Sequence, residues 1–204
     1  RSPHFKDLNP SILPAHKAWA GIYINVFVQA YNTNKVKKEE LPKTYLDLLD
    51  PKWKGRLGME EKSQEWFYAL LKDMGEEKGL KFFRDLVATN KPTVRSGNNV
   101  INSMVVAGEV PFAMSGYLHL AEPAKRQGAP LDWIVLDPVL ATYNGVGISK
   151  KAPHPAAAML FYDFLITDAQ VLFINMVRGT VNRKVESPIK GMKIKLLDPA
   201  AGLD

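Results

Sequence analysis

Between Thr93 and Leu120 the chain reads TVRSGNNVINSMVVAGEVPFAMSGYLHL. Arg95-Ser96-Gly97-Asn98-Asn99 is a short polar turn before an apolar segment, which predicts a helix starting near Asn98. The first amide protons of a helix have no intrahelical partners. Gly97 lets the backbone approach a ligand without a Cβ in the way. Free amides at a positive helix end form an anion site, and Arg95 adds a fork of donors for a carboxylate or phosphate. Tyr117 follows the next apolar run, Val110 to Met114, which reads as a strand. A phenol there donates to an anion or, deprotonated, ligates a hard metal. Two plainer readings stay open: Ser96 and Asn98 are ordinary helix caps, and Tyr117 is a buried tyrosine with its hydroxyl satisfied.

Ligands of open α/β sheets gather at the carboxyl ends of strands and at the helix starts beside them. Trp66 begins a helix after a short strand at Leu57 to Met59, so it is a further candidate for ligand contact. A helix-spaced aromatic is more often an ordinary core residue. Glu60 and Glu61 share the turn before that helix and are expected to be solvated, with contact to a metal or amine as the alternative. His119 lies two residues after Tyr117, but His4, His16 and His154 show no metal-type spacing with it. A surface or capping role fits His119, and a structural one fits His154 between two prolines.

Enzyme motifs are poorly matched. GVGISK lacks the third glycine of a dinucleotide loop. AMSGY carries Ala113 where a nucleophile elbow needs glycine. Tyr117 and Lys125 are too far apart to share a helix face at i, i+4. No histidine is placed as a base.

The absence of cysteine from the 204 residues excludes disulfides, thiolate zinc sites and a Cys nucleophile. The formal charge is +6, but the lysines are spread among acids rather than gathered in a stripe with interleaved aromatics. Nucleic acid is therefore not an expected partner; a modest positive field suits collection of an anionic ligand. No window approaches the roughly 18 apolar residues of a membrane helix. Arg1-Ser2-Pro3-His4 does not read as a signal peptide, and a start at Arg1 is expected of a chain processed, trimmed or excised from a longer one.

The elements that must position these residues alternate between strand and helix. In GIYINVFVQAYN, Ile22, Ile24, Val26 and Val28 alternate with Tyr23, Asn25, Phe27 and Gln29, a pattern for a strand covered on both faces. Thr44 with Asp47 is a capping-box-like start for a short helix that Asp50-Pro51 stops. Helices follow with predicted core faces Phe67, Leu70, Leu71, Met74 and Leu80, Phe83, Leu86, Val87; Gly75 is the expected C-cap of the first. KPTV, DWIVL and LATYNGVGIS read as strands, two helices come near the end, and the tail is expected to be irregular. The fold class is α/β, with Leu57 to Leu136 as one complete lobe.

Three stretches carry a resemblance. YNTNKV…LPKTYLDLLDPKWKGRLGM, SMVVAGEVPFAMSGYLHLAEPAKRQGAPLDWIVLDP and KKAPHPAAAMLFYDFLITDAQ resemble, in order from about Ala30 to Gln170, motifs of bacterial solute-binding proteins of ABC importers. The chain looks most like the group that includes the ferric-ion-binding proteins. This implies a type II periplasmic-binding fold, two α/β lobes joined by crossing strands and closing on a ligand like a hinge. INVFVQAYN would be the first crossing and WIVLDP the return. Residues 1–30 would be a remnant of the first lobe with the crossing strand, 31–136 a complete second lobe, and 137–204 the returning segment of the first lobe with the C-terminal helices. Most of the first lobe, roughly a hundred residues, would be lacking.

The resemblance also implies a function: capture of a small anion, a ferric ion or a ferric–anion complex for a membrane permease, in the periplasm or outside the cell, with no catalysis and no cofactor. The same fold as the ligand-sensing domain of a regulator or receptor is the alternative. In the iron-binding members two adjacent tyrosines at the SGYL position ligate the metal. Here the pair is Tyr117-Leu118, so one phenolate is expected on Fe3+. An organic anion held by Arg95, the Ser96 to Asn99 amides and Tyr117 fits the same residues. The strands at Ile22 to Ala30 and Leu140 to Ser149 look built for burial on both faces with their sheet partners in the lacking lobe, so the 204-residue chain is expected to self-associate there or to show that region disordered.

Overall fold

The structure, a computed structural model, describes residues 2–14, 16 and 18–197. The chain forms strands β1 (Trp19–Asn32), β2 (Leu57–Glu60), β3 (Thr93–Arg95), β4 (Phe112–Tyr117), β5 (Leu131–Ile134), β6 (Val139–Gly147) and β7 (Ile194–Leu196). Its α-helices are α1 (Gln64–Met74), α2 (Glu76–Asn90), α3 (Asn98–Ala107), α4 (Leu118–Arg126), α5 (Pro155–Ile166) and α6 (Ala169–Asn175). The strand order is β3-β2-β4-β1-β6-β7, with β5 pairing β1 as well. Two compact units share β1 and β6. One takes the chain up to Asn25 and Thr142–Met192; the other takes Val26–Ala141 and the chain from Lys193. The chain therefore returns to the first unit within β6, a few residues beyond WIVLDP.

In the second unit the local signals act as elementary chemistry dictates. Asp47 Oδ2 accepts the amides of Lys43 at 2.8 Å and Thr44 at 2.9 Å, starting a 3-10 turn over Tyr45–Leu49. Gly75 ends α1 at φ +83°, a backbone conformation that favours glycine, and α2 begins at the next residue. The two helices pack closely because a Cβ at Gly79 would sit 2.8 Å from Leu71 Cα. That approach turns α2 so that Gly79, Phe82, Phe83 and Leu86 face inward. Val87, expected in the core, is exposed for this reason. The core gathers Trp53, Trp66, Leu70, Phe112, Met114 and Leu140, all essentially free of solvent. Gln29 is buried among them and fully employed: Nε2 donates to Met114 O and Tyr45 Oη, and Oε1 accepts the Leu136 amide.

In the first unit, buried Gln170 plays the same part, donating to Ile22 O and Leu165 O and accepting from Val181 N. His154 is the N-cap residue of α5, with Pro155 in its first turn. Leu140 and Ala141 are buried in the second unit, but Asn144, Gly145 and Gly147 further along β6 are exposed, so this strand is not covered on both faces throughout. The expected irregular tail contains β7, which pairs in parallel with Val139–Ala141. Among the described residues no single helix is long and apolar enough to cross a membrane.

Candidate functional site

In the second unit β2 pairs in parallel with both β3 and β4, with Glu60 opposite Arg95 and Gly58 opposite Ala113. All three strands thus end on one side of the sheet, at Glu60, Arg95 and Tyr117. Helices α1, α3 and α4 start just beyond them, from Ser63, Gly97 and Tyr117. None of these three residues caps its helix with its own side chain. Three positive helix ends therefore converge where open parallel sheets take their ligands.

Glu60 sits at the centre and is only 3% exposed, although an acid in that turn was expected to be solvated. β2 runs one residue further than Met59, which carries Glu60 into the sheet. Its Oε1 accepts the Gly97 amide at 3.1 Å, and its Oε2 lies 3.4 Å from Ser63 Oγ. Its own amide donates to Ser115 Oγ at 3.2 Å, and Ser63 Oγ is 3.1 Å from that same oxygen. Ser63 has one hydroxyl proton, so it serves Glu60 or Ser115 at a given moment. The carboxylate meets the amide of Gly97, the residue that leads into α3, and neither Ser96 nor Asn98 caps the helix among the described contacts.

The sequence candidates separate into those at this site and one that is not. Arg95 and Ser96 are exposed at the end of β3, and Arg95 Nη1 folds back onto Val94 O at 2.8 Å. Gly97 takes φ +103°, and its amide faces Glu60. Asn98 is half-buried, its Oδ1 enclosed without a hydrogen-bond partner among the described residues, and Asn99 is exposed. Tyr117 is half-buried, stacked on Phe27 at 4.6 Å and near the His119 ring at 5.2 Å. Trp66 is not a surface residue. It is fully buried, edge-on to Tyr45 and Phe83, because α1 turns Trp66, Ala69 and Leu70 into the core. Burial also pushes the neighbouring Tyr45 phenol up to about 12 despite the Trp66 and Gln29 groups beside it.

Ser63 and Ser115 were not singled out from the sequence, and Glu60 was named there only as an acid in a turn, with its burial unforeseen. Among the described residues no group of three or more His, Cys, Asp or Glu side chains is assembled for a metal. The described cavities lie elsewhere; one of about 320 Å³ is lined by Tyr45, Asp73, Lys78 and Asp137.

Sheet order, helix starts and strand-end polar groups together define an α/β binding lobe. The chain belongs to the bacterial extracellular solute-binding protein family, whose model matches residues 2–179. It is 29% identical over 175 residues to the major ferric iron-binding protein of Neisseria meningitidis serogroup B, covering 81% of this chain and 52% of that one. Iron-bound HitA from Pseudomonas aeruginosa superposes with a TM-score of 0.80 at 22% identity, over 93% of this chain and 65% of HitA. The periplasmic binding protein AfuA from Actinobacillus pleuropneumoniae, solved with fructose-6-phosphate, gives a TM-score of 0.80 at 27% identity, over 97% of this chain and 68% of AfuA. The fold is that of the type II periplasmic binding proteins. The chain spans about half the length of the curated relatives it matches.

Proposed function

We propose that this chain is the ligand-binding part of a periplasmic solute-binding protein that serves an ABC importer, capturing its solute without transforming it. The ligand is a ferric ion or a small ferric complex, engaged at the carboxyl ends of β2, β3 and β4 with Tyr117 as an oxygen ligand. The observation that carries this reading is the half-buried phenol of Tyr117 at one strand end; the three helix starts beside it suit the anion of a ferric complex rather than the metal itself. The names of the relatives, ferric iron-binding and iron-bound, support the choice of iron. A buried carboxylate at the centre adds negative charge, which suits a cation better than a free anion.

A second reading, a small organic anion, is favoured by the exposed Arg95 guanidinium beside the start of α3. Native mass spectrometry of protein purified from a bacterial periplasm separates the two. An iron-sized mass increment removed by a ferric chelator supports the first. An organic adduct without iron supports the second, and a protein carrying nothing after exposure to both kinds of solute contradicts the proposal.

A further inference from the structure

Glu60 is nine-tenths buried and more, yet the described residues give it no lysine or arginine partner. Arg95, its cross-strand neighbour in register, directs a guanidinium nitrogen to Val94 O instead. A charge taken out of water needs compensation. Here it comes from the Gly97 amide, the Ser63 hydroxyl and the positive end of α3. An amide at a glycine turn, a hydroxyl and a helix start are the donors that hold a bound phosphate or carboxylate in other proteins. In this chain they hold a carboxylate that belongs to the chain itself.

We infer that Glu60 is a built-in anion: its carboxylate takes up the Gly97 amide and the Ser63 hydroxyl beside α3, bars free inorganic anions from those donors, and so sets the specificity of the site. The inference deepens the proposed function and rests on it for the location of the ligand, because it states which solute class that end of the sheet refuses. Ser63 and Ser115 hold the carboxylate in place, one through Oε2 and the other through the Glu60 amide. Glu60→Ala removes the internal anion and leaves the amide and hydroxyls facing an empty space. Glu60→Gln removes the charge and keeps the space filled, with an oxygen still able to accept from Gly97.

The test uses the full chain and inorganic phosphate, without iron, so its outcome is independent of whether the ferric reading holds. Amide-resolved NMR follows Gly97 during a phosphate titration, and thermal melts follow the fold. In the wild type and in Glu60→Gln, the Gly97 signal is expected to stay put. In Glu60→Ala, phosphate is expected to shift it saturably, at least about tenfold more tightly than in the wild type, and to raise the melting temperature. A saturable Gly97 shift in the wild type overturns the inference. So does a Glu60→Ala chain that phosphate neither binds nor stabilises. Phosphate binding by Glu60→Gln also counts against it, since charge alone, rather than occupation of those donors, would then do the excluding.

Discussion

Glu60 Oε1 accepts the Gly97 amide at 3.1 Å, joining the end of β2 to the start of α3 through a carboxylate that is almost wholly buried. This contact joins two elements far apart in sequence and fixes the glycine turn that leads into α3. Removing it leaves the Gly97 donor without its acceptor, while the Ser63 hydroxyl keeps Ser115 Oγ. Glu60→Ala is therefore expected to destabilise the fold by about 1–3 kcal/mol in phosphate-free buffer. Glu60→Gln should cost less, because an acceptor remains. Denaturant melts of the two variants check the order.

Arg95 should behave in the opposite way. Its side chain is exposed, and its described bond is to the carbonyl of its own neighbour, Val94. Arg95→Ala is expected to change stability by no more than about 0.5 kcal/mol. If an anionic group of the solute meets this guanidinium, affinity falls by about 1–3 kcal/mol in the same variant. Calorimetry beside thermal melts separates the two effects.

Trp66 gives a third contrast. Its ring has no exposed surface and lies edge-on to Tyr45 and Phe83. Trp66→Ala is expected to cost about 3–5 kcal/mol of stability. The affinity of the molecules that remain folded should be unchanged. A variant of normal stability with weakened binding would return Trp66 to the ligand.

Acid should weaken the second unit through carboxylates such as Glu40 and Asp47. The Lys37 amide and then Arg56 hold Glu40 below its ordinary 4.5, and the Thr44 and Lys43 amides hold Asp47 below its ordinary 3.8. A lowered carboxylate contributes stability that is present above its unfolded value and lost as pH falls through its folded one. Stability is thus expected to decline below about pH 4, and Asp47→Asn should flatten part of that decline. Lys125 carries the opposite sign: Asp132 raises it above 10.5, so its contribution disappears only as pH rises past that folded value. Melting temperatures across the pH range test both limbs.

The sequence carried the order of strands and helices well, because period-2 and period-3.6 patterns, Gly75 and the Thr44–Asp47 box are local signals. What it hid depended on contacts across the chain. The face of α2 turned on Gly79 meeting Leu71, which no window of α2 contains. Trp66 carried two readings, ligand contact from its place after β2 and core from its helical spacing, and its burial agrees with the second. The turn at Arg95 to Asn99 was legible as a glycine-bearing helix start. Its partner was not, because Glu60 stands between Met59, Glu61 and Lys62 and looks like any solvated acid. Only pairing of β2 with β3 and β4 shows that it enters the sheet.

Tyr117→Phe keeps the ring and its stack on Phe27, and thermal melts of the variant check that it stays folded. That makes visible absorption during titration of the full chain with ferric citrate the most direct measurement. A ferric ion on the Tyr117 phenolate predicts a charge-transfer band in the wild type that is lost in Tyr117→Phe. A wild-type chain that stays colourless under excess ferric citrate, or a band that persists in Tyr117→Phe, would contradict it.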